Sequence, residues 1–262
     1  MPTEVYGIDF SGSKSPGQNI WITEAIVSSA PEYNLKVQDM YPAADRFSGE
    51  HRNEILTDLC DFIRQKESAV VGIDFPFGFP SAAVTAENWT GFLGDFSNTF
   101  KEQGIDDFPG RYGANGRLKR ETDFRFGGQS PLSPQVQYQV LYGLRDVLYP
   151  LVTENEVSVA PMQPYDPTKT TLLEIYPAAT FGVERLYRTG YKSKTEQSQR
   201  RRRTNAEGLR GHEKVSVESD IVEKATKSDD ALDSLCAGFA VRRALSEGID
   251  REHVSVEGYI YA

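Results

Sequence analysis

Two short apolar runs frame the chain, EVYGIDF over residues 4–10 and AVVGIDF over 69–75. Each is rich in Val and Ile and bounded by turn formers, which predicts buried strands over 3–10 and 69–75. NIWITEAIV (19–27) and YNLKVQDMY (33–41) alternate apolar and polar positions and predict two further strands. Their short links suggest an antiparallel meander. From 49 to 66 the period changes: Ile55, Leu59, Phe62 and Ile63 share one helical face, with Leu56 beside them. A helix between strands implies a crossover, so the strand at 69–75 should lie parallel to the first. Helical spacing returns at 86–103 (Trp89, Phe92, Leu93, Phe96, Phe100) and at 134–150 (Val136, Val140, Leu144, Val147). TLLEIYP (171–177) reads as a strand, 178–189 as a short helix, 227–245 as a helix and VSVEGYIYA (254–262) as a last strand.

Carboxylates sit at telling places in this pattern. Asp9 and Asp74 each end a Gly-Ile-Asp run, and parallel pairing brings them to one edge of the sheet. Ligands of α/β proteins gather at such strand ends. An Asp after a strand is also an ordinary turn residue. Glu174 interrupts an apolar strand, where a free carboxylate is costly. Asp230 and Asp233 share a face near a helix start, with Ser228 or Asp229 as N-cap. The helix dipole accounts for acids in the first turn, and less well for Asp233 among apolar neighbours.

The stretch between the framed elements is less regular. FPFGFP (75–80) is an aromatic turn open to packing or base stacking. Residues 104–131 mix Arg111, Arg117, Lys119, Arg120 and Arg125 with Tyr112, Phe124 and Phe126. That composition suits a nucleic-acid surface or a solvated loop pinned by aromatics. The run Arg200–Arg203, preceded by Lys192 and Lys194, reads as a solvated helix face or as a phosphate track.

Composition narrows the classes. The 262 residues suffice for one large α/β domain, and 14 Phe with 13 Tyr permit a sizeable core. A net charge of −9 argues against coating nucleic acid by bulk positive charge. Cys60 and Cys236 lack ligand-type spacing and read as buried thiols of a reducing compartment. The isolated His51, His212 and His253 offer little to a zinc site or a Ser-His-Asp triad. No run approaches a membrane span and no signal pattern opens the chain, so the expectation is a soluble, cytoplasmic protein.

Asp9, Asp74, Glu174, Asp230 and Asp233 together form a carboxylate set of the kind Mg²⁺ and Mn²⁺ prefer. Two such ions about 4 Å apart can activate a water and stabilise the leaving oxygen of a phosphodiester. With GIDFSGSK (7–14), VGIDFPFGFP (71–80), EIYPAATF (174–181), GYKSK (190–194), SDDALDSLCAGFA (228–240) and EGYIYA (257–262), the chain resembles an uncharacterised family of predicted nucleases in the ribonuclease H-like superfamily. The resemblance runs over nearly the full length. It implies an α/β fold with a mixed sheet, three antiparallel strands continuing into parallel ones, flanked by helices. The whole chain, 1–262, would be one such domain with a helical and loop insert at about 81–133.

The resemblance also implies a metal-dependent nuclease using Mg²⁺ or Mn²⁺. Asp9, Asp74, Asp230 and Asp233 would be catalytic and metal-binding acids, with Glu174 a further candidate. The DDALD run is similar to the final acidic helix of Holliday-junction resolvases, although the strand-four acid is Asp where resolvases carry Glu. Candidate substrate contacts are Ser11, Lys14, Lys192 and Arg201. DNA or RNA is the expected partner, with no membrane, and resolvase-like enzymes often act as dimers. Two competing readings stay open. One is a nucleotide-binding phosphotransferase of the actin and sugar-kinase type, with Ser11, Ser13 and Lys14 as a phosphate loop. The other is a binding protein that keeps the fold without catalysis.

Overall fold

The computed structural model describes residues 1–101, 104–113, 116–249 and 256–262. β1 (Thr3–Asp9), β2 (Trp21–Val27) and β3 (Leu35–Pro42) form the expected antiparallel meander. After α1 (Arg52–Arg64), β4 (Val70–Ile73) pairs parallel to β1, with Gly7 opposite Gly72 and Ile8 opposite Ile73. The ladder runs on by one bond, Asp74 N–H to the Ile8 carbonyl at 3.0 Å. The two Gly-Ile-Asp runs therefore stand side by side in register.

The next stretch holds α2 (Trp89–Thr99), α3 (Phe108–Tyr112), α4 (Glu121–Phe126) and α5 (Gln137–Gly143). α5 continues through a π-helical stretch at Leu144–Leu148 into α6 (Tyr149–Thr153), where the sequence suggests one uniform helix. Then come β5 (Val157–Ala160), β6 (Thr170–Ile175), α7 (Pro177–Val183), α8 (Glu196–Arg210), β7 (Val215–Ser216), α9 (Ser219–Lys227), α10 (Asp229–Glu247) and β8 (Ile260–Tyr261). β5, β7 and α9 are not anticipated by the pattern, and the first two are strands of only four and two residues. Of the last expected strand, 254–255 lie outside the described residues and Ile260–Tyr261 pair with β6.

The sheet order is β5-β6-β4-β1-β2-β3-β7, with β8 also beside β6. β4, β5 and β6 are parallel and β1 to β3 antiparallel. This mixed sheet flanked by helices is consistent with a ribonuclease H-like fold. The period of two along the strands divides the core. Tyr6, Ile8, Phe10, Val71, Ile73 and Phe75 face one layer with α1, α2 and α5. Val5 and Val70 face the other with α10. Gly7 and Asp9, like Gly72 and Asp74, share the α10 side.

α10 comes very close to that side. A Cβ on Gly7 would lie 2.2 Å from both Gly238 N and Ser234 O, and one on Gly72 would lie 2.6 Å from Val241 Cγ2. The glycines of the two runs are thus the seat of α10, and Ser228 caps the helix by accepting from Ala231 N–H at 3.2 Å. A buried bond between Thr23 and Ser234 hydroxyls, 2.9 Å, ties the same helix to β2.

The three phenylalanines of FPFGFP, Phe75, Phe77 and Phe79, are all buried, which resolves that turn as packing. Phe79 meets Phe92, Phe96, Phe108 and Tyr112 with ring centroids 5.0–6.5 Å apart. Trp89 Nε1 donates to the Phe77 carbonyl at 2.7 Å. Cys60 and Cys236 are buried free thiols. No helix among the described residues is long and apolar enough to cross a membrane.

Candidate metal centre

Three expected carboxylates converge at the C-terminal ends of β1 and β4. Asp9, Asp74 and Asp233 each offer an oxygen such that all three atoms lie within 4.8 Å of one another. β1 and β4 present Asp9 and Asp74 as neighbours, and the glycine seat lowers α10 until Asp233, in its second turn, joins them. Asp9 is 6% exposed and Asp233 fully buried, while Asp74 is partly exposed. Asp230, one turn earlier in α10, stays half-buried and outside that group of three.

The acids are protonated more readily than usual. Burial is the main cause at Asp9, with Asp233 adding repulsion, and its carboxyl rises well above the ordinary range. Burial lifts Asp74 to about 7 against the pull of Lys192, and Asp233 pushes the same way. Asp233 is raised by burial although Lys192 and Tyr191 oppose it. Asp230 rises to about 6 through burial and then Asp229.

A cation and a phenol complete the cluster. Lys192 Nζ stands 2.6 Å from Asp233 Oδ2, with 57% of the lysine side chain exposed. Asp233 first, then Asp9 and Asp74, hold its ammonium in the charged form. Tyr191 is buried and donates to Asp233 Oδ1 at 3.0 Å. The loop that carries both is fastened by Arg202. Its guanidinium donates to the carbonyls of Tyr191 (2.6 Å), Ser193 (3.0 Å) and Thr226 (2.9 Å). Arg202 is buried, so the arginine run is not one uniform solvated face. Arg200 fits the solvated description, exposed beside Glu196 at 3.5 Å.

Glu174 lies outside the group of three. It pairs in register with Ile73, which faces away from α10, so the pleat points it to the opposite side from Asp9 and Asp74. There Arg120 holds it bidentately, Nη1 to Oε2 at 2.7 Å and Nη2 to Oε1 at 2.6 Å. Phe77 N–H adds a bond of 2.8 Å to Oε2. Arg120 also binds Asp123 through Nε and Nη2, at 3.0 and 2.9 Å. All three side chains are buried. Glu174 is thus held in a buried ion pair and is not one of the three clustered acids, although it lines the same cleft, and Arg120 leaves the basic loop surface for the interior.

The other expected contacts scatter. Arg201 donates to the Thr189 carbonyl at 3.3 Å and lies over the Tyr187 ring at 5.2 Å. Ser11 accepts from Ser13 N–H at 3.3 Å, and Lys14 is exposed. A cleft of about 500 Å³ opens beside the acids, with Asp74, Asp233 and Lys192 on its wall. Ser11, Lys14 and Arg201 do not line it. Tyr191, Arg202 and Arg120 are site residues that sequence reasoning misses. The Gly-Tyr-Lys of GYKSK places Tyr191 beside Lys192, and that adjacency is the available signal for it.

Residues 148–255 are similar to a family described as Protein of unknown function (DUF429). The match covers less than half the chain. It takes in Glu174, Tyr191, Lys192, Arg202, Asp230 and Asp233 but neither Asp9 nor Asp74. No curated protein and no solved structure matches. The similarity is thus to an uncharacterised family.

Proposed function

We propose that the chain is a divalent-metal-dependent hydrolase of phosphodiester bonds in nucleic acid. The observation that carries this reading is the convergence of Asp9, Asp74 and Asp233 oxygens within 4.8 Å. Three largely buried carboxylates repel one another unless a cation lies among them, and hard oxygen donors suit Mg²⁺ or Mn²⁺. The donor set fits the ion: these three acids would hold it, with Asp230 at the rim. When bound, the ion supplies an activated water and neutralises charge on the leaving oxygen.

The chain's own groups have separate tasks in this reading. Tyr191 fixes the rotamer of Asp233 by its bond to Oδ1. Lys192, held by Asp233 yet more than half exposed, meets the substrate phosphate at the mouth of the cleft. Arg202 positions both through the loop carbonyls. Arg120 and Glu174 keep the segment around α4 against β6, which forms the cleft wall.

A second reading rests on Lys192 itself. Its ammonium already stands as a cation against the acids, 2.6 Å from Asp233. A site neutralised from within needs no metal, which favours a binding protein without catalysis. Calorimetric titration of Mn²⁺ into wild type and Asp9→Asn/Asp74→Asn separates the two. Saturable binding lost in the double variant, with cleavage of labelled DNA or RNA lost alongside, is expected of the hydrolase. Absence of both in wild type leaves the second reading standing.

A further inference from the structure

Asp74 and Asp233 of the acid cluster line the 500 Å³ cleft, and the rest of its lining has a chemistry of its own. Gln129, Gln135 and Gln139 bring three carboxamides to it from the α4–α5 connection and α5. Gln129 and Gln135 are exposed, and Gln135 Oε1 accepts from the Ser133 hydroxyl, which leaves its amide N–H donors. Gln139 Nε2 donates to the Phe10 carbonyl at 2.9 Å, which leaves its acceptor oxygen. Pro76, Val136 and Tyr176 add flat or apolar surface to the same lining. Arg188 also lines the cleft, and one of its donors goes to the Phe126 carbonyl. A guanidinium has five donors, so others remain.

Between them the three carboxamides present the Gln135 donors, the Gln139 acceptor and both groups of Gln129, a mixed set of donors and acceptors that matches the edge of a nucleobase. Planar and apolar walls suit the base faces. Arg188 and Lys192, on the same lining, suit a phosphate. The volume lies within the roughly 300–1,000 Å³ of small-ligand sites. A base stacked and paired inside a continuous duplex cannot enter such a cleft without being flipped out.

We infer that the cleft is a nucleotide pocket: it takes one unpaired nucleotide, base among Gln129, Gln135 and Gln139, phosphate toward Arg188 and Lys192. The substrate class is then single-stranded nucleic acid or an unpaired end, in preference to intact duplex. The cleavage part rests on the phosphodiesterase reading above. Nucleotide binding does not.

The test uses the full chain and the four nucleoside 5′-monophosphates, titrated by calorimetry into wild type and into Gln129→Ala/Gln135→Ala. Saturable binding of at least one monophosphate, weakened about tenfold or more in the double variant with Mn²⁺ affinity unchanged, is the expected result. Binding of none of the four, or equal binding by wild type and variant, overturns the pocket. Cleavage of a blunt duplex as fast as of a single strand of the same sequence overturns the substrate class. If wild type binds a monophosphate but takes no Mn²⁺, the pocket is supported and the phosphodiesterase reading alone is lost.

Discussion

Asp74 shows how strongly a single side chain depends on its surroundings. Burial lifts its carboxyl to about 7, far above the roughly 3.9 of an unfolded Asp. The folded state therefore binds a proton more tightly than the unfolded state, and stability falls as pH rises between those two values. Asp230, lifted to about 6, acts in the same direction. The metal-free protein is expected to lose roughly 2 kcal/mol between pH 5 and 8. Urea midpoints across that range check this, and Asp74→Asn should flatten the slope. A slope unchanged in the variant would assign the pH dependence to other groups. On the proposed function, Mn²⁺ affinity should rise through the same window, because the ion needs the ionised acids. Lys192 supplies the complementary case. Lys192→Met leaves buried Asp233 without its cation, so the metal-free fold should weaken by about 1–2 kcal/mol. The same substitution removes a competitor for the acids, so Mn²⁺ should bind more tightly in a direct titration. Weaker Mn²⁺ binding would instead make the lysine a partner of the ion.

At the scale of the element, the decisive contact is α10 on β1 and β4. The two faces of that contact respond differently to one added methyl. At Gly7 a Cβ would meet backbone atoms of α10 at 2.2 Å, which nothing flexible can relieve. Gly7→Ala is expected to cost about 3 kcal/mol or more and to move Asp9 away from Asp233. Gly238 sits in the helix across from it, yet a Cβ there would first touch Thr23 Cγ2 at 3.7 Å, an ordinary contact. Alanine also favours a helix interior over glycine, so Gly238→Ala should be neutral or stabilising by up to about 1 kcal/mol. Thermal melting of both variants tests the pair together. Equal destabilisation would mean that the helix is not seated on the strand glycines. The seat explains why Gly-Ile-Asp occurs twice: glycine admits the helix, isoleucine fills the far core and aspartate reaches the site.

Across the whole molecule, the segment around α4 and the sheet are joined through one buried ion group. Arg120 carries one positive charge against Glu174 and Asp123 and donates to the Glu257 carbonyl at 3.1 Å. Glu257 in turn accepts from Ser81 and Glu121 N–H groups, at 2.8 and 2.9 Å. Three segments far apart in sequence meet there. Arg120→Met should strand two buried carboxylates and lower stability by roughly 3–5 kcal/mol, read from urea unfolding. Replacing Arg120 and Glu174 together by Met and Leu should recover part of that loss, since a pair removed whole strands only Asp123. No recovery would mean that the bonds to Asp123 dominate.

Much of the architecture is legible along the chain because it depends on local pattern. Period-two and helical spacing identify the meander, the crossover and α10, and the parallel relation of β1 and β4 follows from the helix between them. Asp9 and Asp74 come to the same edge of the sheet on that ground, and the pairing of β1 with β4 makes them neighbours. Other features depend on register, which no local pattern contains. Whether Glu174 faces the acids or the insert turns on a one-residue step of β6 beside β4, and that step is decided by packing on both sides of the sheet. Arg120 and Arg202 read as surface charges because arginine usually is one. Their burial requires partners supplied from 54 residues away for Arg120 and 24 for Arg202. The sequence by itself determined which carboxylates stand at strand ends and how the strands run. Only the tertiary structure decided which of them share a site, because a buried charge is placed by its partners and those come from elsewhere in the chain.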